Sequence, residues 1–193
     1  MPQPTPDRIL DCAHALLATH GYNGFSYADV ARRVPLSKPA VHHHFPAKSD
    51  LGVAVVRRYR ARAFDLLDGA SRGRASGRAR LAAYIGYWRD CVTAQESPFC
   101  VCALLAAEMP SLPAPVRAEV AGHFRALQAW LADAIRAGFG DGSLAEKAAQ
   151  HRDADALAAE LMALVHGAML SARAMDDPGV FDRIAAGTLH GLA

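Results

Sequence analysis

Basic and hydroxyl side chains crowd the stretch between residues 26 and 48, which reads SYADVARRVPLSKPAVHHHFPAK. Lysine, serine and histidine can all donate hydrogen bonds to base edges or phosphate oxygens, and imidazole can also carry charge at mildly acidic pH. Lys38 can bond the acceptor atoms of guanine, and the methyl group of Ala40 can meet that of thymine. These side-chain types suit DNA as a partner.

Two short helices joined by a tight turn are predicted to hold these residues. Ser26 and Asp29 form an S-x-x-D capping pattern at the start of the first helix. Pro35 then disfavours helical geometry in the residue before it. Ser37 caps the second helix, and Pro39 falls in its first turn, where a missing N–H group is tolerated. A helix-turn-helix of this kind places the start of its second helix in the major groove.

The candidate DNA-binding residues combine base contacts with phosphate contacts. Base contacts select a sequence, whereas phosphate contacts position the protein, and a lysine at a helix start lies at a natural anion site. The full set is Ser26, Tyr27, Ser37, Lys38, Pro39, Ala40, His42, His43, His44 and Lys48. Successive helix residues point about 100° apart, so the three adjacent histidines cannot converge on one ion and no metal is expected.

Positive charge is concentrated in the same part of the chain. The net charge of the 193 residues is only +2, but the first 60 residues hold eight Lys and Arg against four Asp. The remainder holds 13 basic and 15 acidic residues. This asymmetry suits a phosphate-bearing partner at one end of the molecule, although a solvated basic face would give the same pattern.

Helical periodicity continues through the rest of the chain. Ala, Leu and Arg are plentiful, whereas β-branched and aromatic residues are scarce, a balance that favours helices over strands. We therefore predict an all-α fold of about nine helices. A three-helix helix-turn-helix DNA-binding domain spans residues 1–50, a connecting helix spans 48–68, and a larger C-terminal helical domain spans 51–193. The Gly-rich stretch 69–77 is the candidate linker.

Several classes of protein are not favoured. The four cysteines lack the spacing of a zinc site. No nucleophile elbow, phosphate-binding glycine loop or H-E-x-x-H motif is present, so neither enzyme activity nor a cofactor is expected. The polar first residues are unlike a secretory leader, and no apolar run approaches the roughly 20 residues that span a bilayer. A cytoplasmic protein with reduced thiols is the expectation.

Residues 7–51 resemble the DNA-binding domain of the TetR family of transcriptional regulators. The resemblance rests on G-Y-N-G-F-S, V-A-R-R, L-S-K and V-H-H-H-F-P-A-K-S-D-L, which stand in the family's order and spacing. The family often has Ala-Gly where Val34-Pro35 stands, Lys-Gly-Thr where Lys38-Pro39-Ala40 stands, and Tyr at the position of His42. These differences keep open an alternative, a helical interaction module of the same fold without DNA-binding activity.

The resemblance implies a ligand-responsive regulator, more often a repressor, that binds a palindromic operator as a homodimer and is released by a small-molecule inducer. The dimer would form through helices at about 153–175 and 180–192, although the same apolar residues could build an intramolecular core. The C-terminal domain, 51–193, would thus serve ligand binding and dimerisation. Each residue that could line the inducer site could instead be a plain core residue. These residues are Tyr84, Trp88, Phe99, Cys100, Phe124, Gln128 and His166.

The run F-C-V-C-A-L-L-A-A-E-M, residues 99–109, resembles a segment of a TetR subgroup that includes electrophile- and oxidant-sensing repressors. In that subgroup a cysteine precedes an Ala-Glu pair by the spacing that separates Cys100 from Ala107-Glu108. The resemblance implies an electrophile inducer that reacts with Cys100. The alternative is an inert buried thiol, the commoner state of cysteine in a core.

Overall fold

The computed structural model describes residues 4–71, 76–94, 100–145 and 153–190. Within these ranges the chain forms nine α-helices, one short 3₁₀ turn and no strand, which confirms the predicted all-α fold. The helices are α1 (Thr5–His20), α2 (Tyr27–Arg33), α3 (Lys38–His44), α4 (Lys48–Ser71), α5 (Gly77–Ala94), α6 (Val101–Ala107), α7 (Ala114–Gly140), α8 (Ala154–Ala174) and α9 (Gly179–His190). The 3₁₀ turn spans Met109–Ser111.

Packing divides the chain into two compact units. The first unit combines Met1–Arg62 with Pro98–His123, and the second combines Ala63–Ser97 with Phe124–Ala193. Helices α4 and α7 each contribute residues to both units. These units describe packing rather than function, so the predicted functional boundary near residue 50 stays a prediction.

Apolar residues of α1, α2, α3 and α4 form the core of the first unit. Ile9, Val30, Val41 and Leu51 have no exposed side-chain surface. Helix α1 packs against α2 and α6, and α2 packs against α3. Gly21 ends α1 with a φ of +70°, a left-handed conformation that favours glycine. The short helices α2 and α3 therefore rest on a core to which each contributes few residues.

Helices α5, α8 and α9 pack against one another in the second unit. Its core includes Leu81, Leu131, Val165 and Phe181, all without exposed surface. Helical periodicity predicts the inward-facing positions of Leu81, Leu131 and Val165, and the structure adds Phe181. Long helices supply most of this unit, so its stability depends on side-chain packing more than on helix caps.

Helix α8 has more apolar residues than it buries in the core of the second unit. By length and composition α8 could cross a membrane, which the sequence did not predict, and 33% of its most apolar stretch is buried. Leu164 and Leu170 are 36% and 59% exposed, and Met175, just after the helix, is 68% exposed. An apolar face on a helix whose other face is buried is typical of a surface that a partner covers.

Candidate functional site

The start of α2 is fixed by a complete capping box. The Ser26 hydroxyl accepts a hydrogen bond from the Asp29 N–H at 3.4 Å, and the Ser26 N–H donates to Asp29 Oδ2 at 2.8 Å. Arg32 holds the other carboxylate oxygen at 2.7 Å. Hydrogen bonds from Ser26, followed by that from Arg32, lower the pKa of Asp29 to about 2. The predicted cap is therefore present, and Ser26 is committed to it.

The turn between α2 and α3 closes with part of a Schellman motif. Leu36 donates its N–H to the Ala31 carbonyl at 3.1 Å, which is the longer of the motif's two bonds. In a complete Schellman motif, residue 35 adopts positive φ and donates the second bond from its N–H. Pro35 has a φ of +24° but no N–H, so the second bond is missing. Arg8 of α1 donates to the Val34 carbonyl at 3.1 Å and so ties the turn to the core.

Helix α3 is seven residues long and presents most of its side chains to solvent. Ser37 caps it by accepting a hydrogen bond from the Ala40 N–H at 3.2 Å. Val41 is fully buried and anchors the helix from below. Lys38, Pro39, His42, His43 and His44 are exposed, and Ala40 is half-buried. The structure thus brings most of the predicted DNA-binding residues together on one short helix; we call α2 and α3 the reader pair.

Tyr27 joins the two ends of the reader pair. Its hydroxyl donates to the Phe45 carbonyl at 2.7 Å, and its ring meets that of His42 edge-on at 4.5 Å between centroids. Burial, followed by the charge of Asp50, raises the pKa of Tyr27 to about 12. The hydroxyl proton is therefore used inside the protein, and contact between Tyr27 and phosphate stays a prediction.

Lys48, predicted to hold phosphate, lies in a small aromatic cage. Its ammonium donates to the Phe25 carbonyl and lies 4.8 Å and 4.4 Å from the ring centroids of Tyr22 and Phe25. Burial lowers the pKa of Lys48, an effect that the carboxylates of Asp29 and Glu108 partly oppose. An ammonium has three N–H donors and Phe25 takes one, so a phosphate contact remains compatible with this geometry.

Arg8 and Glu108 are two contributors to this site that the sequence analysis missed. Arg8 holds the turn of the reader pair, and Glu108 accepts the backbone N–H of Tyr22 with both carboxylate oxygens, at 3.0 Å and 3.2 Å. The bond partners are 26 and 86 residues apart in the chain. No local pattern marks such contacts, and only the Ala-Glu pair at the end of α6 offered a signal.

Three of the predicted inducer residues, Trp88, Phe124 and His166, form an aromatic cluster in the second unit. The His166 ring lies 6.3 Å from Trp88 and 5.4 Å from Phe124, and its Nδ1 is 2.8 Å from the Met162 carbonyl. Trp88 Nε1 is buried and has no hydrogen-bond partner among the described residues. The cluster offers an indole N–H donor inside an apolar surround.

Of the other four predicted inducer residues, Tyr84 is 1% exposed, and its ring lies 6.4 Å from that of Trp130. Gln128 reaches the backbone carbonyl of Asp155 at 3.5 Å. Phe99 falls outside the described residues. Cys100 belongs to the first unit.

Cys100 and Cys102 form a buried thiol pair at the start of α6. Both side chains have no exposed surface. A hydrogen bond with Cys100, followed by burial, raises the pKa of Cys102 well above its usual value. Among the residues that the structure describes, no group of three or more His, Cys, Asp or Glu could hold a metal ion. The raised pKa keeps the Cys102 thiol protonated, which is the less nucleophilic form.

Two family profiles match the chain. The profile of bacterial regulatory proteins of the tetR family matches residues 9–55, and the profile of the tetracyclin repressor-like C-terminal domain matches residues 77–188. No curated protein matches the chain. The two profiles together cover both the reader pair and the long helices of the second unit.

Solved structures with this fold span a range of sequence identity. A transcriptional regulator of the TetR family from Agrobacterium tumefaciens is 42% identical, with 97% of each chain covered and a TM-score of 0.91. The reduced form of E. coli NemR is 24% identical, with 98% of each chain covered and a TM-score of 0.84. A transcriptional regulator from Saccharomonospora viridis in complex with choline is 24% identical, with coverage of 95% and 92% and a TM-score of 0.78. The last two likenesses concern the fold alone.

Proposed function

Because the chain belongs to the TetR family of transcriptional regulators, we propose that it binds a palindromic operator as a homodimer and acts as a repressor that an inducer releases. The observation that carries this proposal is the reader pair. Helix α3 is capped by Ser37, anchored by the buried Val41 and exposes Lys38 with three histidines. A short helix held from below, with donors on its outer surface, suits the major groove. This function requires no catalytic group, and it fits a cytoplasmic protein.

The exposed face of α8 supports the homodimer. Leu164, Gly167 and Leu170 follow one another at helical spacing, are exposed, and Gly167 has open space where a side chain would stand. A second copy of the chain could bring its own α8 close at that glycine and bury the leucines of both copies. Two-fold symmetry would then present two α3 helices to half-sites about 34 Å apart.

Selection from random duplexes tests DNA binding directly. The wild-type protein should enrich a palindrome and bind it with an affinity that falls linearly on a log–log plot against salt. Lys38→Ala should weaken binding to the selected duplex about tenfold and relax its sequence preference, because it removes a base contact. Arg125→Ala, which removes an exposed arginine of α7 from the second unit, is the matched control and should bind like wild type.

Failure of this experiment has two distinct meanings. If wild type enriches no duplex, DNA binding itself is wrong and the helical interaction module is favoured. If wild type binds and Lys38→Ala binds equally well with equal preference, the assignment of α3 as the base-reading helix is wrong.

We propose the aromatic cluster as the site of a non-covalent inducer. The indole N–H of Trp88 is buried without a partner among the described residues, so it would favour an inducer that carries a hydrogen-bond acceptor. His166 and Phe124 supply apolar and aromatic surface beside it. An inducer releases DNA only if it binds the DNA-incompetent conformation more tightly.

A covalent inducer that reacts with Cys100 is the second route. Burial of both Cys100 and Cys102 limits access, so this route requires the short helix α6 to open first. Cys100→Ser should keep duplex binding and lose release by N-ethylmaleimide, whereas Cys91→Ser, at a half-buried thiol of α5, should respond like wild type. A Cys100→Ser protein that is still fully released would exclude the covalent route and leave the aromatic cluster.

A further inference from the structure

The backbone between α1 and α2 is held by the segment that follows α6. Glu108, at the end of α6, accepts the Tyr22 N–H with Oε1 at 3.2 Å and Oε2 at 3.0 Å. Asn23 Nδ2 donates to the Ser111 hydroxyl at 3.0 Å, and that hydroxyl donates to the Glu108 carbonyl at 2.9 Å. We call these four residues the turn clamp. All of them lie in the first unit.

The clamp depends on close approach at Gly21. A Cβ atom placed there would lie 2.1 Å from Glu108 Oε1 and 2.9 Å from Cδ. Gly21 also has a φ of +70°. The chain therefore combines a glycine, a left-handed turn and a carboxylate so that the carboxylate can reach the next backbone N–H. Such an arrangement fixes the Glu108 side chain relative to the turn more tightly than a surface ion pair would.

The turn clamp leads directly to the reader pair. The Tyr22 ring, 5% exposed, lies under the Lys48 ammonium, which in turn binds the Phe25 carbonyl. Ser26, the next residue, caps α2. A displacement of Tyr22 would thus reach the first turn of α2 through Lys48 and Phe25, which are in contact with each other.

We propose that Glu108 is a positioning residue for DNA binding, and that its carboxylate sets the orientation of the reader pair by holding the Tyr22 backbone. This inference rests on the proposed DNA-binding function. It assigns to the end of α6 a role in operator affinity although Glu108 itself touches no DNA. It also makes α6 the element through which a change at the buried thiol pair would reach the reader pair.

Two gentle substitutions separate position from charge. Glu108→Asp keeps the negative charge but shortens the reach to Tyr22, whereas Glu108→Gln removes the charge and keeps an acceptor oxygen at the same distance. If position matters, Glu108→Asp should weaken binding to the selected duplex about tenfold and Glu108→Gln should bind at least as tightly as wild type. If only charge matters, Glu108→Asp should match wild type and Glu108→Gln should bind more tightly, because a negative charge has gone.

The control and the local readout separate positioning from general loss of stability. Glu119→Asp shortens another carboxylate of the first unit, which binds Arg57 and Arg60 at 2.7 Å and 3.0 Å. It should lower the melting temperature as much as Glu108→Asp but leave duplex affinity unchanged. Hydrogen exchange at the Tyr22 amide should accelerate in Glu108→Asp only.

Wild-type affinity in Glu108→Asp, or equal weakening in Glu108→Gln or Glu119→Asp, overturns the inference while the proposed function stands. If wild type selects no duplex, the proposed function fails on its own. Hydrogen exchange at the Tyr22 amide then decides whether Glu108 holds the turn. An exchange rate in Glu108→Asp equal to that of wild type would show that Glu108 does not hold the Tyr22 backbone.

Discussion

The reader pair and the crossing of α5 with α7 are held by different kinds of contact. In the reader pair, Ser26 and Ser37 satisfy helix starts three residues away, and Tyr27 bonds a carbonyl 18 residues away. At the crossing, Gly77 touches the backbone of α7, where a Cβ atom would lie 2.2 Å from both the Ala134 carbonyl oxygen and the Gly138 nitrogen. The first region depends on polar side chains, and the second on the absence of one.

This difference separates what tolerates substitution from what does not. A polar cap contributes about 1 kcal/mol, and water can replace part of a lost hydrogen bond at an exposed helix start. Two backbones in contact leave no room for even one methyl group, so the helices must move apart. We therefore expect small, graded effects in the reader pair and a large effect at the crossing.

Gly77→Ala should be the most damaging of the changes considered for stability. The added methyl group overlaps the backbone of α7, which should cost roughly 2–3 kcal/mol and lower the melting temperature by about 4–10 °C. The start of α5 would also lose its bond from the Gly77 N–H to Asp141, now 2.8 Å long. Thermal unfolding followed by circular dichroism measures the change.

Gly86→Ala is the matched control in the same helix. No atom lies within 4 Å of a Cβ placed there. Alanine favours a helix interior over glycine, so this variant should gain up to about 1 kcal/mol. Equal stability of the two variants would show that the crossing of α5 and α7 is looser than its geometry indicates.

Pro35→Gly should stabilise the reader pair, by about 1–2 kcal/mol. Glycine adopts positive φ without strain and restores an N–H that can complete the Schellman motif by donating to the Arg32 carbonyl. The gain is reduced because glycine leaves the unfolded chain more freedom than proline does. Urea unfolding measures the difference.

Pro35→Ala separates the two contributions, since alanine restores the N–H but keeps the cost of a left-handed conformation, about 1 kcal/mol. We expect Gly to exceed Ala. A stability below wild type for Pro35→Gly would mean that the rigidity of proline outweighs its strain in this turn.

Local signals made the reader pair readable from the sequence. The S-x-x-D pattern predicted the cap of α2, and Ser37 with Pro39 predicted the start of α3. Helical periodicity likewise predicted about nine helices, because the buried face of each helix shows as apolar residues that recur every three to four positions. The partners of the Ser26 and Tyr27 side chains could not be predicted from the sequence. A hydroxyl that caps a helix or bonds a carbonyl is the same residue type as one that binds phosphate.

Contacts between distant parts of the chain were not readable. Helix α6 ends at Ala107, and a 3₁₀ turn begins at Met109. The start of α5 is capped by Asp141, 64 residues away. Glu108 likewise meets Tyr22 only after folding. Periodicity records which face of a helix is buried but not which residue of another helix it meets.

Tyr27→Phe should have the smallest effect and the most specific pH signature. It removes the hydroxyl bond to the Phe45 carbonyl and should cost about 1 kcal/mol at neutral pH. Since the pKa of Tyr27 is raised to about 12 in the folded protein, the wild-type advantage should be complete below pH about 10, where the unfolded phenol is still neutral, and should disappear as the pH rises to about 12. Urea unfolding of both proteins across this range measures the difference, because other titrating groups cancel between them. Duplex affinity should be identical in the two proteins if the hydroxyl serves Phe45 alone, whereas weaker binding by Tyr27→Phe with an unchanged salt dependence would place the neutral hydroxyl on a phosphate.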